Sequence, residues 1–116
     1  MRMLEWLTGR FSRRGSAIAL YKRGMAKARK KNHLGAIEDY TVAIEMSETP
    51  CDVRAMTLYN RALVYTNTGE EAKGVADLNA ILAMGEMLIN VKSMARQKLA
   101  RISARLPAQR QRRNSV

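Results

Sequence analysis

LYKRGMAKARKKNHLGAIEDYTVAIEM, Leu20 to Met46, returns 38 residues later as LYNRALVYTNTGEEAKGVADLNAILAM, Leu58 to Met84. LYKRGM is answered by LYNRAL, Ala36-Ile37 by Gly74-Val75, Asp39 by Asp77, Tyr40 by Leu78 and Ala43-Ile44 by Ile81-Leu82, and a methionine closes each copy. Small positions stay small and apolar positions stay apolar. A chain that repeats itself at a period of about 20 to 50 residues is built of stacked supersecondary units, each burying its apolar face against the next. The expected fold is therefore all-α, and the expected role is binding.

Helical spacing runs outward from this repeat in both directions. Ile18, Tyr21, Met25 and Ala28 recur at i, i+3 or i+4 in a helix beginning at Ser16, which Lys30-Lys31-Asn32 ends with cations suited to the dipole. A second helix from about Leu34 to Met46 presents Ile37, Tyr40, Ala43 and Ile44, completing a hairpin. Thr49-Pro50-Cys51-Asp52 reads as a helix start, with Thr49 the N-cap, Pro50 the first helical residue and Asp52 the acid of a capping box. The third helix carries Met56, Tyr59, Ala62 and Leu63 to about Asn67, and the fourth carries Val75, Leu78, Ile81 and Leu82 to about Met84. Gly85 is expected as the left-handed residue after it.

Beyond Gly85 the cleanest apolar stripe of the chain appears: Leu88, Val91, Ala95, Leu99, Ile102 and Leu106. It predicts a capping helix closed by Pro107. The expected organisation is a basic amphipathic segment over 1–15, the helical repeats over 16–106 and a basic disordered tail over 107–116. Within 1–15, Met3, Leu4, Leu7 and Phe11 fall at helical spacing with Trp6 beside them. Such a short helix needs a surface to pack on, whether the repeats, a partner or a membrane interface.

At these positions the chain resembles the tetratricopeptide repeat (TPR) family, whose units of about 34 residues are helical hairpins with small residues at the helix crossings. Gly24, Ala36, Tyr40 and Ala43 stand in the family's slots in the first unit, and Ala62, Tyr65, Gly74, Leu78 and Ile81 in the second. The resemblance covers residues 17 to 84. It implies a short TPR-like α-solenoid whose last helix is a cap. The period of 38, the leucines Leu20 and Leu58 where the family has an aromatic, and Lys27 opposite Tyr65 depart from its pattern.

The +11 net charge is distributed in poles. Residues 1–31 hold ten Lys/Arg against one acid, residues 32–90 three against nine, and residues 91–116 eight against none. Such poles steer anionic partners, or are simply solvated helix faces. One cysteine, Cys51, leaves no internal disulfide framework and makes the cytoplasm the natural compartment; a buried, small apolar role is expected for it. No uncharged run reaches the ~18 residues of a membrane span, and no apolar signal-peptide core is present.

Catalytic chemistry finds little to stand on. His33 is the single histidine, expected as an ordinary surface residue, and Cys51 the single cysteine, so no metal site or cofactor is expected. Glu38-Asp39 and Glu70-Glu71 are adjacent on helices and point in different directions, which makes them poor acid/base couples. The chain is not expected to be an enzyme.

If the first helix of each hairpin lines a concave groove, as the resemblance implies, equivalent positions stack across units. Ile18, Met56 and Met94 form one row, Tyr21, Tyr59 and Gln97 a second, Lys22, Asn60 and Lys98 a third, and Met25, Leu63 and Arg101 a fourth. An apolar strip beside a Lys, Asn, Lys ladder suits an extended peptide or helix with apolar anchors and a carboxylate. The expected binding residues are thus Tyr21, Lys22, Met25, Tyr59, Asn60, Leu63, Lys98 and Arg101. The bland reading of the Met and Tyr residues is that they pack on neighbouring helices. Asn60 matches the central asparagine of the family's carboxylate-clamping members, although Tyr21, Met25 and Met94 replace polar or cationic residues there. The expected function is a non-catalytic protein-interaction module with a protein or peptide ligand, an acidic one included. The alternative is an RNA or anionic-surface binder acting through the basic ends, and self-association through the ends of so short a solenoid is a third.

Overall fold

In a computed structural model the backbone is described for residues 2–85 and 88–114, and side chains for 15–85 and 88–105. Five helices follow in order: α1 Arg2–Arg29, α2 His33–Glu45, α3 Cys51–Asn67, α4 Glu71–Leu82 and α5 Ile89–Asn114. The described residues contain no strand. α1 packs on α2 and α3 on α4, giving two helical hairpins; α2 then touches α3, and α4 touches α5. α1, α3 and α5 are also neighbours in turn, so the first helices form one continuous layer on which α2 and α4 pack.

The hairpins close as the repeat predicts. Tyr40, Leu78 and Ile81 are fully buried, as are Ala36, Ala43 and Ala62. Large side chains buried to this degree stabilise by roughly 1.5–3 kcal/mol each. Gly24 is required by the ring above it, because a Cβ there would stand 2.5 Å from Cε1 of Tyr40. The second unit solves the same crossing differently, with Ala62 in place of Gly24 and the smaller Leu78 in place of Tyr40. At Gly74 a Cβ would meet Thr66 Cγ2 at 2.6 Å and the Ala62 carbonyl at 3.1 Å. Ile44 packs against the buried clusters of both units and joins them.

The turns also repeat. After α1 the chain enters the left-handed region at Lys31, φ 64°, and after α3 at Gly69, φ 85°, one period later. Asn32 N–H donates to the Lys27 carbonyl at 2.8 Å, and Glu70 N–H to that of Tyr65 at 2.8 Å, closing the two helix ends alike. Asn32 then starts α2 by accepting from Gly35 N–H at 3.1 Å.

Several boundaries differ from expectation. α1 does not begin at Ser16 but is continuous from Arg2, since a glycine at 15 weakens a helix without stopping it. The apolar pattern expected of side chains 1–14 lies outside the described residues. α5 does not end at Pro107; it continues to Asn114, because the alanine, glutamine and arginine residues over 108–113 are strong helix formers. Thr49 is not the N-cap of α3. Its buried hydroxyl donates to the Ala43 carbonyl at 2.6 Å, tying the connection to α2, and Pro50 takes the cap position with no side-chain bond. Gly85 does not have a left-handed φ, for α4 ends three residues earlier with Ala83 as its C-cap in helical conformation. Cys51 is exposed rather than buried, being the first residue of α3.

α5 covers the second unit as the stripe predicts. Val91, Ala95 and Ile102 are buried with Leu78 and Ile81, and Leu88 and Leu99 pack on them. Leu106 lies outside the described side chains. Arg96, Arg101 and Arg105 are exposed, and Arg105 reaches back to Glu71 on α4 at 2.9 Å.

Candidate functional site

The α1–α3–α5 layer holds the residues singled out for binding. Tyr21 and Met25 are half-buried on α1 and pack against Tyr40, Ala36 and Val64. The Tyr21 and Tyr40 rings lie 6.3 Å apart, centroid to centroid, inclined at 40°. Met56 and Tyr59 on α3 are half-buried against the second cluster, so packing on neighbours and partial exposure coexist at these positions. Leu63 is likewise half-buried, and Met94 on α5 is 36% exposed.

The polar ladder is less uniform than its spacing. Asn60 Nδ2 donates to the Tyr21 hydroxyl at 3.1 Å and to the Met56 carbonyl at 2.9 Å, which binds α3 to α1 and leaves the amide oxygen as the group on offer. Burial raises the Tyr21 hydroxyl above the usual tyrosine range, against the opposing effect of the Asn60 bond. Lys22 and Arg101 are exposed and Lys98 is half-buried.

Charges that sequence reading passed over hold the hairpins together. Arg23 donates from Nε and Nη2 to the two carboxylate oxygens of Asp39, each at 2.8 Å, and Lys27 approaches the same carboxylate at 3.0 Å. Arg61 grips Asp77 in the same way at 2.8 and 2.7 Å, and its Nη1 donates to Thr41 Oγ1 of the preceding unit at 3.0 Å. The Arg23 hydrogen bond, helped by Lys27, holds the Asp39 carboxyl below the usual carboxylate range although burial opposes it. The signal was available, since an arginine recurs with the aspartate at the 38-residue period in LYKR and LYNR. Arg54 is a further structural cation, donating to the Ile44 and Met46 carbonyls at 3.1 and 2.8 Å at the end of α2.

Open depressions mark the surface of the described residues. One of about 230 Å³ lies between α1 and α3 over the start of α2, lined by Arg29, His33, Tyr40, Asn60, Leu63 and Asn67 among others. A second of about 390 Å³ on the other side of His33 includes Leu34, Ile37, Tyr65 and Lys73. A third, about 430 Å³, opens where α3 and α5 begin, between Met56 and Ile89. His33 is half-buried at the first residue of α2, and its Nδ1 is buried without a hydrogen-bond partner. No group of three His, Cys, Asp or Glu that could hold a metal occurs among the described residues, and none of their helices is long and apolar enough to cross a membrane.

No protein-family profile matches the chain, and no solved structure does. Curated relatives do. The chain is 34% identical over 59 residues to the photosystem I assembly protein Ycf3 of Cyanophora paradoxa, covering 51% of this chain and 34% of the relative. It is 30% identical over 73 residues to Ycf3 of Acaryochloris marina, covering 63% and 43%, and 39% identical over 54 residues to Ycf3 of Synechococcus elongatus, covering 47% and 31%. The match thus spans between about a third and two fifths of the relatives' own length, and over that part the chain is an all-helical repeat similar to photosystem I assembly proteins.

Proposed function

We propose that the chain is a non-catalytic, TPR-type protein-interaction module that receives an extended or helical segment of a partner across the α1–α3–α5 layer. The observation that carries this reading is the state of that layer. α2 and α4 pack on it, yet on α1 and α3 Tyr21, Met25, Met56, Tyr59 and Leu63 stay half-buried rather than buried. Partly exposed aromatic and methionine side chains on a rigid helical scaffold give large and adaptable apolar contact. The similarity to proteins named for photosystem I assembly supports a partner that is itself a protein, held during the building of a larger complex. Lys22, Lys98 and Arg101 border the apolar positions and suit a partner segment carrying carboxylates.

A second reading, binding of RNA or another anionic surface, draws on the exposed cations Arg29, Lys30 and Lys31 at the end of α1 and Arg96 and Arg101 on α5. Salt separates the two. Titrating the partner at 50 and 200 mM salt should change affinity little if apolar anchors dominate, whereas several phosphate contacts would cost ~10³-fold or more. A loss of that size would remove the first reading.

A further inference from the structure

We infer that the depression between α1 and α3 is a carboxylate subsite, in which Arg29, His33 and Tyr40 converge on one acidic group of the bound segment. This rests on the reading of the α1–α3–α5 layer as a peptide groove, and it adds to the Lys22, Asn60, Lys98 ladder a second anion-recognising centre at the C-terminal ends of the first helices.

The chemistry of the lining points one way. Arg29 is exposed and has no ion pair among the described residues, whereas Arg23, Lys27 and Arg61 nearby are occupied by Asp39 and Asp77. Lys30 and Lys31 follow it, exposed, so the mouth of the depression is cationic. Tyr40 is raised to about 12, chiefly by burial and with Arg29 opposing the rise, and therefore remains a hydroxyl donor at any ordinary pH. His33 brings a buried Nδ1 with no hydrogen-bond partner among the described residues, and a buried polar atom left so is destabilising until water or a ligand meets it. Asn67 adds an exposed amide, and Leu63 an apolar wall. Among the described residues no acidic side chain lines the depression.

The space is about 230 Å³, enough for a carboxylate and the methylenes that carry it but not for a whole drug-sized ligand. A guanidinium, a hydroxyl and a ring N–H, with His33 in the tautomer that carries its proton on Nδ1, are all donors and match a planar two-oxygen acceptor, and bonds to an ionised carboxylate are about twice as strong as neutral ones. Asn60 lines the same space while holding Tyr21, which couples the subsite to the tyrosine row of the groove. A glutamate or aspartate side chain and a chain-terminal carboxylate present the same two oxygens.

The test is a nuclear magnetic resonance titration of the full chain with three probes: N-acetyl-leucyl-glutamate α-amide, N-acetyl-leucyl-leucine with a free carboxylate, and neutral N-acetyl-leucyl-glutamine amide. The subsite predicts saturable millimolar shifts at the amides of Arg29, His33 and Asn67 and at the His33 ring nitrogens with a charged probe, and none there with the neutral one. Whichever acid binds more tightly identifies the carboxylate's source. Arg29→Gln, a change at an exposed position, should weaken the effect about tenfold with the spectrum otherwise intact. Equal shifts from the neutral probe, an unaltered Arg29→Gln titration, or shifts at Tyr21, Met25 and Tyr59 without any at Arg29 and His33 would each overturn the subsite. The last result would leave the groove standing. Shifts at Arg29 and His33 with none at Tyr21, Met25 or Tyr59 would support the subsite and count against the groove, and no shift anywhere would overturn both.

Discussion

Arg61 holds Asp77 by two parallel hydrogen bonds, Nε to Oδ2 at 2.8 Å and Nη2 to Oδ1 at 2.7 Å, with only 16% and 8% of the two side chains exposed. Removing one partner strands the other charge in a site built for two. Asp77→Asn should therefore destabilise the fold by about 3 kcal/mol or more, whereas Arg105→Ala, which opens a largely exposed pair with Glu71, should cost under about 1 kcal/mol. Urea melts of both variants check this, and equal losses would contradict the ranking.

Asp39 supplies the pH dependence. Its carboxyl is held below the ordinary value by Arg23, so folding favours the ionised form. The stability it contributes is complete above about pH 4, the unfolded value, and is lost as pH falls through the lower folded value. Melting temperatures followed from pH 7 to pH 2 should fall less steeply on the acid limb for Asp39→Asn than for the wild type. Parallel curves would mean that Asp39 is not linked to folding.

The Gly24–Tyr40 crossing permits a rescue experiment. Gly24→Ala places a Cβ against a fully buried ring and should cost roughly 1–3 kcal/mol, beyond the ~1 kcal/mol that alanine otherwise gains over glycine in a helix. Adding Tyr40→Leu recreates the Ala62–Leu78 pairing of the second unit and should recover part of the loss in a double-mutant cycle. Strictly additive losses would show that the two crossings are not equivalent.

Lys31 occupies the left-handed position that glycine holds at Gly69. Lys31→Gly should raise stability by about 1 kcal/mol, because the strain of a side chain at φ 64° exceeds the entropic cost of a glycine. An unchanged or lowered melting temperature would contradict this.

The hairpins were readable in the sequence because their determinants are sizes repeated at one period: Gly24 and Ala62, Ala36 and Gly74, Tyr40 and Leu78. The helix ends were less so. Thr49 has the composition of an N-cap yet turns its hydroxyl back to Ala43, a choice made by the packing of α2 on α3. Pro107 lowers helix propensity at one residue, while Ala108 to Arg113 favour its continuation, and composition alone does not say which prevails. Tyr21, Met25 and Tyr59 could be assigned to the first-helix layer from spacing. Arg29, His33 and Asn67 could not, since what joins them is a depression between helices whose depth depends on the tilt of α1 against α3.

Whether a partner is read on the α1–α3–α5 layer is decided by its affinity, measured by calorimetry, for four chains: wild type, Tyr59→Ala, Lys22→Ala with Lys98→Ala, and a chain lacking residues 2–14. Recognition on this layer predicts that Tyr59→Ala weakens binding with some loss of packing, and that the lysine pair weakens it by ~1–3 kcal/mol while the melting temperature stays nearly unchanged. It also predicts that the shortened chain keeps most of its affinity. Undiminished binding by the lysine variant together with abolished binding by the shortened chain would contradict the claim and move recognition to the N-terminal turns of α1.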